Sequence, residues 1–241
     1  MERIINFRPL AQGLSNRDGK QVRENTILRS GEIGGASERD ILALADYGVG
    51  YIYDFRSAEE VKRLPSLSSP FFATLHVDVI HEASPFTQGL MQMELDQGIR
   101  LMKQLYAVQF GTTDRYKPAI AAILAQKTDA FLYHCTAGKD RTGIFSAILM
   151  MAMDFGLDAV REEYLRIDMQ QMQSVKAIAL RQMDLPEDTA RLDFVFSVRG
   201  EYIDVYLDTV METHGSTDAY LEKVLGITAE TKRFLQEKYL I

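Results

Sequence analysis

Cys135, the only cysteine in the chain, is followed six positions later by Arg141, with Gly138 between them and Thr142 and Gly143 directly after. So short a loop curls the backbone until the successive N–H groups of Thr136, Ala137, Gly138, Lys139 and Asp140 point inward. Gly138 permits a conformation there that a side chain would obstruct. On a helix N-terminus such a nest concentrates partial positive charge, the setting in which a phosphate group binds. The same field favours a thiolate, which makes Cys135 a nucleophile. Arg141 adds a planar fork that can hold two oxygens of the anion. The chemistry implied is double displacement on a phosphate ester: Cys135 attacks phosphorus in line, and water then hydrolyses the phosphocysteine. The amides of residues 136–141 and the Arg141 fork stabilise the equatorial oxygens. Thr142 is placed to hydrogen-bond the departing Cys135 sulfur, or to cap the helix, and both roles are compatible. His134 is expected to stay in the core and hold the loop's shape.

Taken alone, a single cysteine is most often an inert, buried hydrophobe, and Cys-x5-Arg recurs by chance. Here the flanking elements agree with the chemistry. The apolar run ending at His134 reads as a strand, and Ile144, Ile148, Met151, Ala152 and Phe155 stack along a helix that is apolar almost all round. Upstream, residues 1–25 read as loops with a turn near Asp18 and Gly19, and Thr26 to Arg29 as a short strand. Capping boxes at Ser37–Asp40 and Ser57–Glu60 open two helices, the second stopped by Pro65. Tyr51–Phe55 and Phe72–Ile80 read as strands. Gly89–Phe110 has helical spacing around Gly98, and Tyr116–Gln126 is a clearer helix. From Asp158 onward everything reads helical, with Gly215 and Gly226 as C-terminal caps and Thr228 opening the last helix. The fold class is therefore α/β: a single domain with a central, mostly parallel sheet flanked by helices and a helical C-terminal part.

The segment His134–Gly143 resembles the signature loop of the cysteine-dependent phosphatases. Its Gly-Lys-Asp-Arg-Thr-Gly version is similar to that of the bacterial tyrosine-phosphatase-like family, which includes dual protein and phosphoinositide phosphatases of intracellular pathogens. Asn6–Arg8, Leu28–Gly31 and Tyr53–Ser57 resemble that family's upstream landmarks, and the run from Tyr202 through Tyr220 and Leu221 to Leu225 and Gly226 its C-terminal helices. The resemblance covers nearly all of residues 1–241. It implies a phosphatase fold, an insertion forming a candidate helical lid around residues 89–128, and a catalytic part for Asp140. No metal ligand and no cofactor is expected. Asp54, at the end of the Tyr51–Phe55 strand, competes as general acid, because a parallel sheet gathers ligand-binding residues at its strand C-termini. Tryptophan is absent, so the Trp-Pro-Asp acid loop of the standard tyrosine phosphatases is missing. The blander role for either aspartate is an ion pair that orients Arg141 or Arg56. Lys139 reads as a second cation at the rim, suited to a phosphoinositide, or equally as a solvated surface lysine.

The net charge of −7 and a pI near 5.2 argue against a general nucleic-acid binder. Residues 1–31 are relatively basic and residues 201–241 relatively acidic, so positive potential is expected to be local. One cysteine rules out an internal disulfide, and the start of the chain lacks a signal-peptide core. Ile144–Met153 is too short to span a bilayer. The expectation is a cytoplasmic protein, or one exported by a route the sequence does not reveal. The leading function is hydrolysis of phosphotyrosine, with phosphoserine, phosphothreonine or phosphoinositides as further substrates. A phosphate-binding pseudophosphatase and a sulfur or arsenate transferase are the alternatives.

Overall fold

The apolar run before the cysteine is strand β5 (Ala130–His134), and every residue in it is buried. Burial on both faces and at both edges explains its unbroken hydrophobicity. Parallel neighbours flank it, β2 (Ile27–Ser30) on one side and β3 (Val49–Asp54) on the other. An outer strand β4 (Ala73–His76) runs parallel to β3, and a two-residue strand β1 (Arg8–Pro9) pairs antiparallel with β2, giving the order β1-β2-β5-β3-β4. Register places Ser30 and Asp54 on either side of His134. The loops leaving β2, β3 and β5 therefore meet at one end of the sheet, where such sheets bind ligands. The computed structural model from which these features are taken describes residues 1–80, 93–111, 113–182 and 190–241.

Side chains alternate across the sheet. Ile27, Tyr53, Phe131 and Tyr133 enter the larger core, built around helix α5 (Asp140–Ala152), whose residues from Thr142 onward are all buried. Leu28, Ile52 and Leu132 face a smaller core closed by Leu44 of helix α1 (Glu38–Asp46). Helices α6 (Leu157–Leu165), α7 (Met169–Gln182), α8 (Asp193–Phe196), α9 (Gly200–His214), α10 (Thr217–Lys223) and α11 (Ala229–Tyr239) pack around the α5 side. Serine caps start α1 and helix α2 (Ala58–Arg63), each with the reciprocal capping-box bond. Leu64, the residue before Pro65, is extended and ends α2. Thr228 caps α11, and α9 stops at Gly215 in the left-handed conformation.

Two expectations are trimmed. The Phe72–Ile80 strand is ordered as strand only over Ala73–His76, because β3 ends at Asp54 and Val77 N–H makes the last bond to its carbonyl. Of Gly89–Phe110, residues 89–92 lie outside the described residues. Helix α3 (Leu95–Leu105) runs through Gly98, where the Phe194 ring lies in the space a Cβ would need, and continues as a π-helical turn over Tyr106–Phe110. Helix α4 (Lys117–Ala125) follows. The described part of this candidate lid packs inward through Met102, Tyr106, Phe110 and Tyr116. Among the described residues no helix is long and apolar enough to cross a membrane.

Candidate active site

Three donors from outside the loop fix its curl. Glu32 N–H bonds Thr136 O (3.0 Å), Asn6 Nδ2 bonds Ala137 O (2.7 Å) and Arg29 Nη2 bonds Gly138 O (2.9 Å). In a planar trans peptide the N–H of the next residue points opposite to the carbonyl. Drawing these three carbonyls outward therefore turns the amides of Ala137, Gly138 and Lys139 inward. The first amides of α5 have no acceptor within the helix and extend the same concavity. Gly138 sits at φ +69°, and a Cβ there would stand 2.5 Å from Gly31 N and Ser30 O. The loop needs this glycine for both its backbone and its seat on the β2 turn.

Cys135 lies buried at the base of the concavity, and Thr142 Oγ1 donates to its sulfur at 3.1 Å. The N-cap of α5 is Lys139, with no side-chain capping bond, so the Thr142 hydroxyl serves the sulfur. His134 is fully buried, with Nδ1 3.2 Å from Cys135 O; burial holds its pKa down at about 4, so it is neutral at pH 7.

Arg141 reaches across to α2. Its Nη1 and Nη2 donate to Glu60 Oε2 and Oε1 at 2.5 and 2.8 Å, and Nη1 also reaches Phe55 O at 3.2 Å. Thr136 Oγ1 donates to the same carboxylate. Burial opposes ionisation of Glu60, but the hydrogen bonds and charge of Arg141 outweigh it and bring the carboxyl down to about 2. In return, Cys135 and Glu60 hold the Arg141 guanidinium well above its ordinary range against the effect of burial. Tyr116 OH secures the Arg141 backbone by donating to its carbonyl (2.9 Å).

The two aspartates part company. Asp140, at the start of α5, has its side chain 24 % exposed, and its Oδ1 accepts from Tyr106 OH (2.5 Å) and Lys139 Nζ (2.6 Å). Asp54 is fully buried: Arg56 donates to it through Nε and Nη2, Ser66 Oγ adds a bond of 2.6 Å, and His134 Nε2 lies 3.7 Å away. Burial pushes the Asp54 carboxyl up, but the Arg56 hydrogen bonds dominate and hold it well below the usual carboxylate range. It is ionised and enclosed, in the ion-pair role with Arg56, and it is not gathered into the loop. Lys139 is neither a rim cation nor a solvated lysine: only 2 % of its side chain is exposed, and its ammonium is paired with Asp140.

Beneath the loop, Arg29 Nη1 donates to Ser146 Oγ (2.8 Å) and to Glu163 Oε1 (3.1 Å), a carboxylate shared with Arg8. Two further residues of the site are not singled out by any motif or spacing of the sequence: Glu60 reads there only as part of a capping box, and Tyr106 only as part of a helical stripe. Glu60 follows a strand adjacent to β5. The gathering of loops at strand C-termini, which singles out Asp54, is the signal that reaches Glu60 as well.

The family model described as the tyrosine phosphatase family matches residues 1–241. A Cupriavidus necator protein carrying a tyrosine-protein phosphatase name is 30 % identical over 238 residues, 93 % of this chain and 82 % of that protein. The triple specificity protein phosphatase PtpB of Mycobacterium tuberculosis is 26 % identical over 268 residues, 94 % of this chain and 93 % of its own. A tyrosine-protein phosphatase of Nostoc commune is 30 % identical over 132 residues, 54 % of this chain and 44 % of that protein.

Proposed function

The chain belongs to the tyrosine phosphatase family, and from that premise we propose that it hydrolyses phosphomonoesters, phosphotyrosine in proteins first, through a phosphocysteine on Cys135. The observation that carries this reading is the Thr142 hydroxyl 3.1 Å from the Cys135 sulfur, at the base of a loop whose amides converge. In the first step the Cys135 sulfur forms a bond to phosphorus as the ester oxygen leaves. Asp140 gives that oxygen its proton, being the partly exposed aspartate of the loop. In the second step water attacks phosphorus, Asp140 takes the water's proton, and the sulfur leaves with Thr142 hydrogen-bonded to it. The amides of residues 136–141 and the Arg141 guanidinium oriented by Glu60 stabilise the charge on the equatorial oxygens. This use of Thr142 favours turnover over a binding module, which has no need of a leaving sulfur.

Phosphoserine, phosphothreonine and phosphoinositides are the wider substrate range of this reading, supported by similarity to a relative named for triple specificity. The pairing of Lys139 with Asp140 sets a condition on the lipid branch. Lys139 reaches a second phosphate only by leaving that carboxylate. The test is phosphate release from a phosphotyrosyl peptide and from a soluble phosphoinositide, side by side, with and without a metal chelator. Turnover that survives the chelator and vanishes in Cys135→Ser is the expected result. Turnover retained by Cys135→Ser overturns the phosphocysteine.

A further inference from the structure

We propose that Tyr106 is a positioning residue for Asp140, fixing which oxygen of that carboxyl carries the proton delivered to the leaving group. The inference rests on the reading of Asp140 as general acid and deepens it.

Tyr106 is fully buried at the start of the π-helical turn, on an element remote in sequence from the loop, and its hydroxyl lies 2.5 Å from Asp140 Oδ1. π-Helical turns cost hydrogen-bond regularity and are found disproportionately at functional sites. The Tyr106 oxygen is also 2.7 Å from Tyr164 OH on α6. Burial first, and the nearby Asp140 charge second, raise both phenols well above their ordinary range, so both stay protonated. A phenol has one proton to give. Tyr106 gives it to the carboxylate, so Tyr164 must donate to Tyr106, and the chain runs in one direction: Tyr164 to Tyr106 to Asp140.

Lys139 Nζ, a group with donors only, meets the same oxygen at 2.6 Å. The donors-only Lys139 ammonium and the donating Tyr106 hydroxyl thus converge on Oδ1, and no donor among the described residues is hydrogen-bonded to Oδ2. A proton on Oδ1 would face the Lys139 ammonium head-on and would force the Tyr106 hydroxyl to give up its bond to the carboxyl. The protonated acid therefore carries its hydrogen on Oδ2. Tyr106 and Lys139 occupy Oδ1, and the Asp140 side chain is 24 % exposed, which leaves Oδ2 as the oxygen to meet the ester. In the first step that hydrogen passes to the ester oxygen as the P–O bond breaks; in the second, Oδ2 takes it back from the attacking water.

The test compares kcat/KM for phenyl phosphate, a poor leaving group, with that for p-nitrophenyl phosphate, a good one, in the wild type, Tyr106→Phe, Asp140→Asn and the double variant. Phenylalanine keeps the ring and removes only the hydroxyl, and the good leaving group reports on the integrity of the loop in each protein. The expected result is a loss of about tenfold for Tyr106→Phe, confined to phenyl phosphate, a larger loss of the same kind for Asp140→Asn, and no further loss in the double variant. Equal loss on both substrates marks Tyr106 as structural and overturns the inference, as does no loss on either. A selective loss in Asp140→Asn with none in Tyr106→Phe overturns this inference and leaves the acid intact. No selective loss in Asp140→Asn removes the acid itself, and the positioning role with it.

Discussion

Glu60 does two jobs with one carboxylate. Its Oε2 accepts from Ser57 N–H at 2.7 Å, closing the capping box of α2, while both oxygens hold the Arg141 fork. The two roles separate by substitution. Glutamine also serves at the third position of a capping box, but it brings no charge to Arg141. Glu60→Gln is expected to keep α2 capped and the protein folded, with a melting temperature lowered by the loss of the ion pair, while lowering kcat/KM about ten- to a hundredfold, the range for losing a charge-assisted hydrogen bond of about 1.5–3 kcal/mol. Steady-state kinetics beside thermal unfolding checks both parts. A large fall in melting temperature with normal kcat/KM assigns Glu60 to the helix alone. The chain's wording explains why the two partners are unequally legible. Cys135, Arg141 and Thr142 stand within one loop and helix turn, where spacing alone states the chemistry. Glu60 and Arg141 are 81 positions apart and meet only because β3 and β5 are neighbours. Asp54 shows the converse. Its place at a strand end is readable, but which side its carboxylate faces is decided by Arg56 and Ser66, whose approach depends on tertiary packing.

At the scale of elements, the sheet and the helix behind the loop are legible because each carries a strong local signal. β5 is a buried, mostly apolar run, α5 beyond Gly143 is apolar almost all round, and α1 and α2 begin at capping boxes. β1 is not legible: two residues, one of them proline, make a strand only because β2 offers an edge. The π-helical turn carries no signal of its own in the helical stripe of residues 89–110. The link between β2 and the loop is the element-scale contact most exposed to substitution. Gly138→Ala forces a positive φ on a residue with a side chain and sets its Cβ against the backbone of Ser30 and Gly31. Backbone cannot swing aside as a side-chain tip can. A destabilisation of about 2 kcal/mol or more is expected, together with loss of most phosphatase activity as the amides turn out of register. Urea unfolding measures the first and kcat/KM the second. An alanine variant with both values unchanged shows that the loop does not depend on this seat.

For the molecule as a whole, the buried polar groups under the loop make stability depend on pH, and two groups act in different windows. His134 is neutral and buried, with its pKa near 4 against 6.5 for the unfolded residue. Between these values the unfolded chain takes up a proton that the folded chain refuses, so stability falls as pH drops from about 6.5 to about 4 and levels below that. The size is on the order of a few kcal/mol, since each tenfold difference in proton affinity between the folded and unfolded chains is worth about 1.4 kcal/mol. Glu60 works lower down. Its folded pKa near 2 lies below the unfolded value of 4.5, so its contribution is complete above 4.5 and disappears as pH falls towards 2. A stability profile from urea unfolding should therefore carry a His134 contribution between pH 6.5 and 4.5, opposed just above 4.5 by Glu32, whose carboxyl burial pushes up, and preceding the loss of the Glu60 contribution. His134→Gln leaves no imidazole to titrate at this position and should remove the fall in stability towards lower pH over that stretch, whatever it does to the absolute stability, because a lost contact lowers the curve without tilting it. A fall that persists in His134→Gln would place the proton uptake outside the loop's support and break the link between the strand end and the pH response.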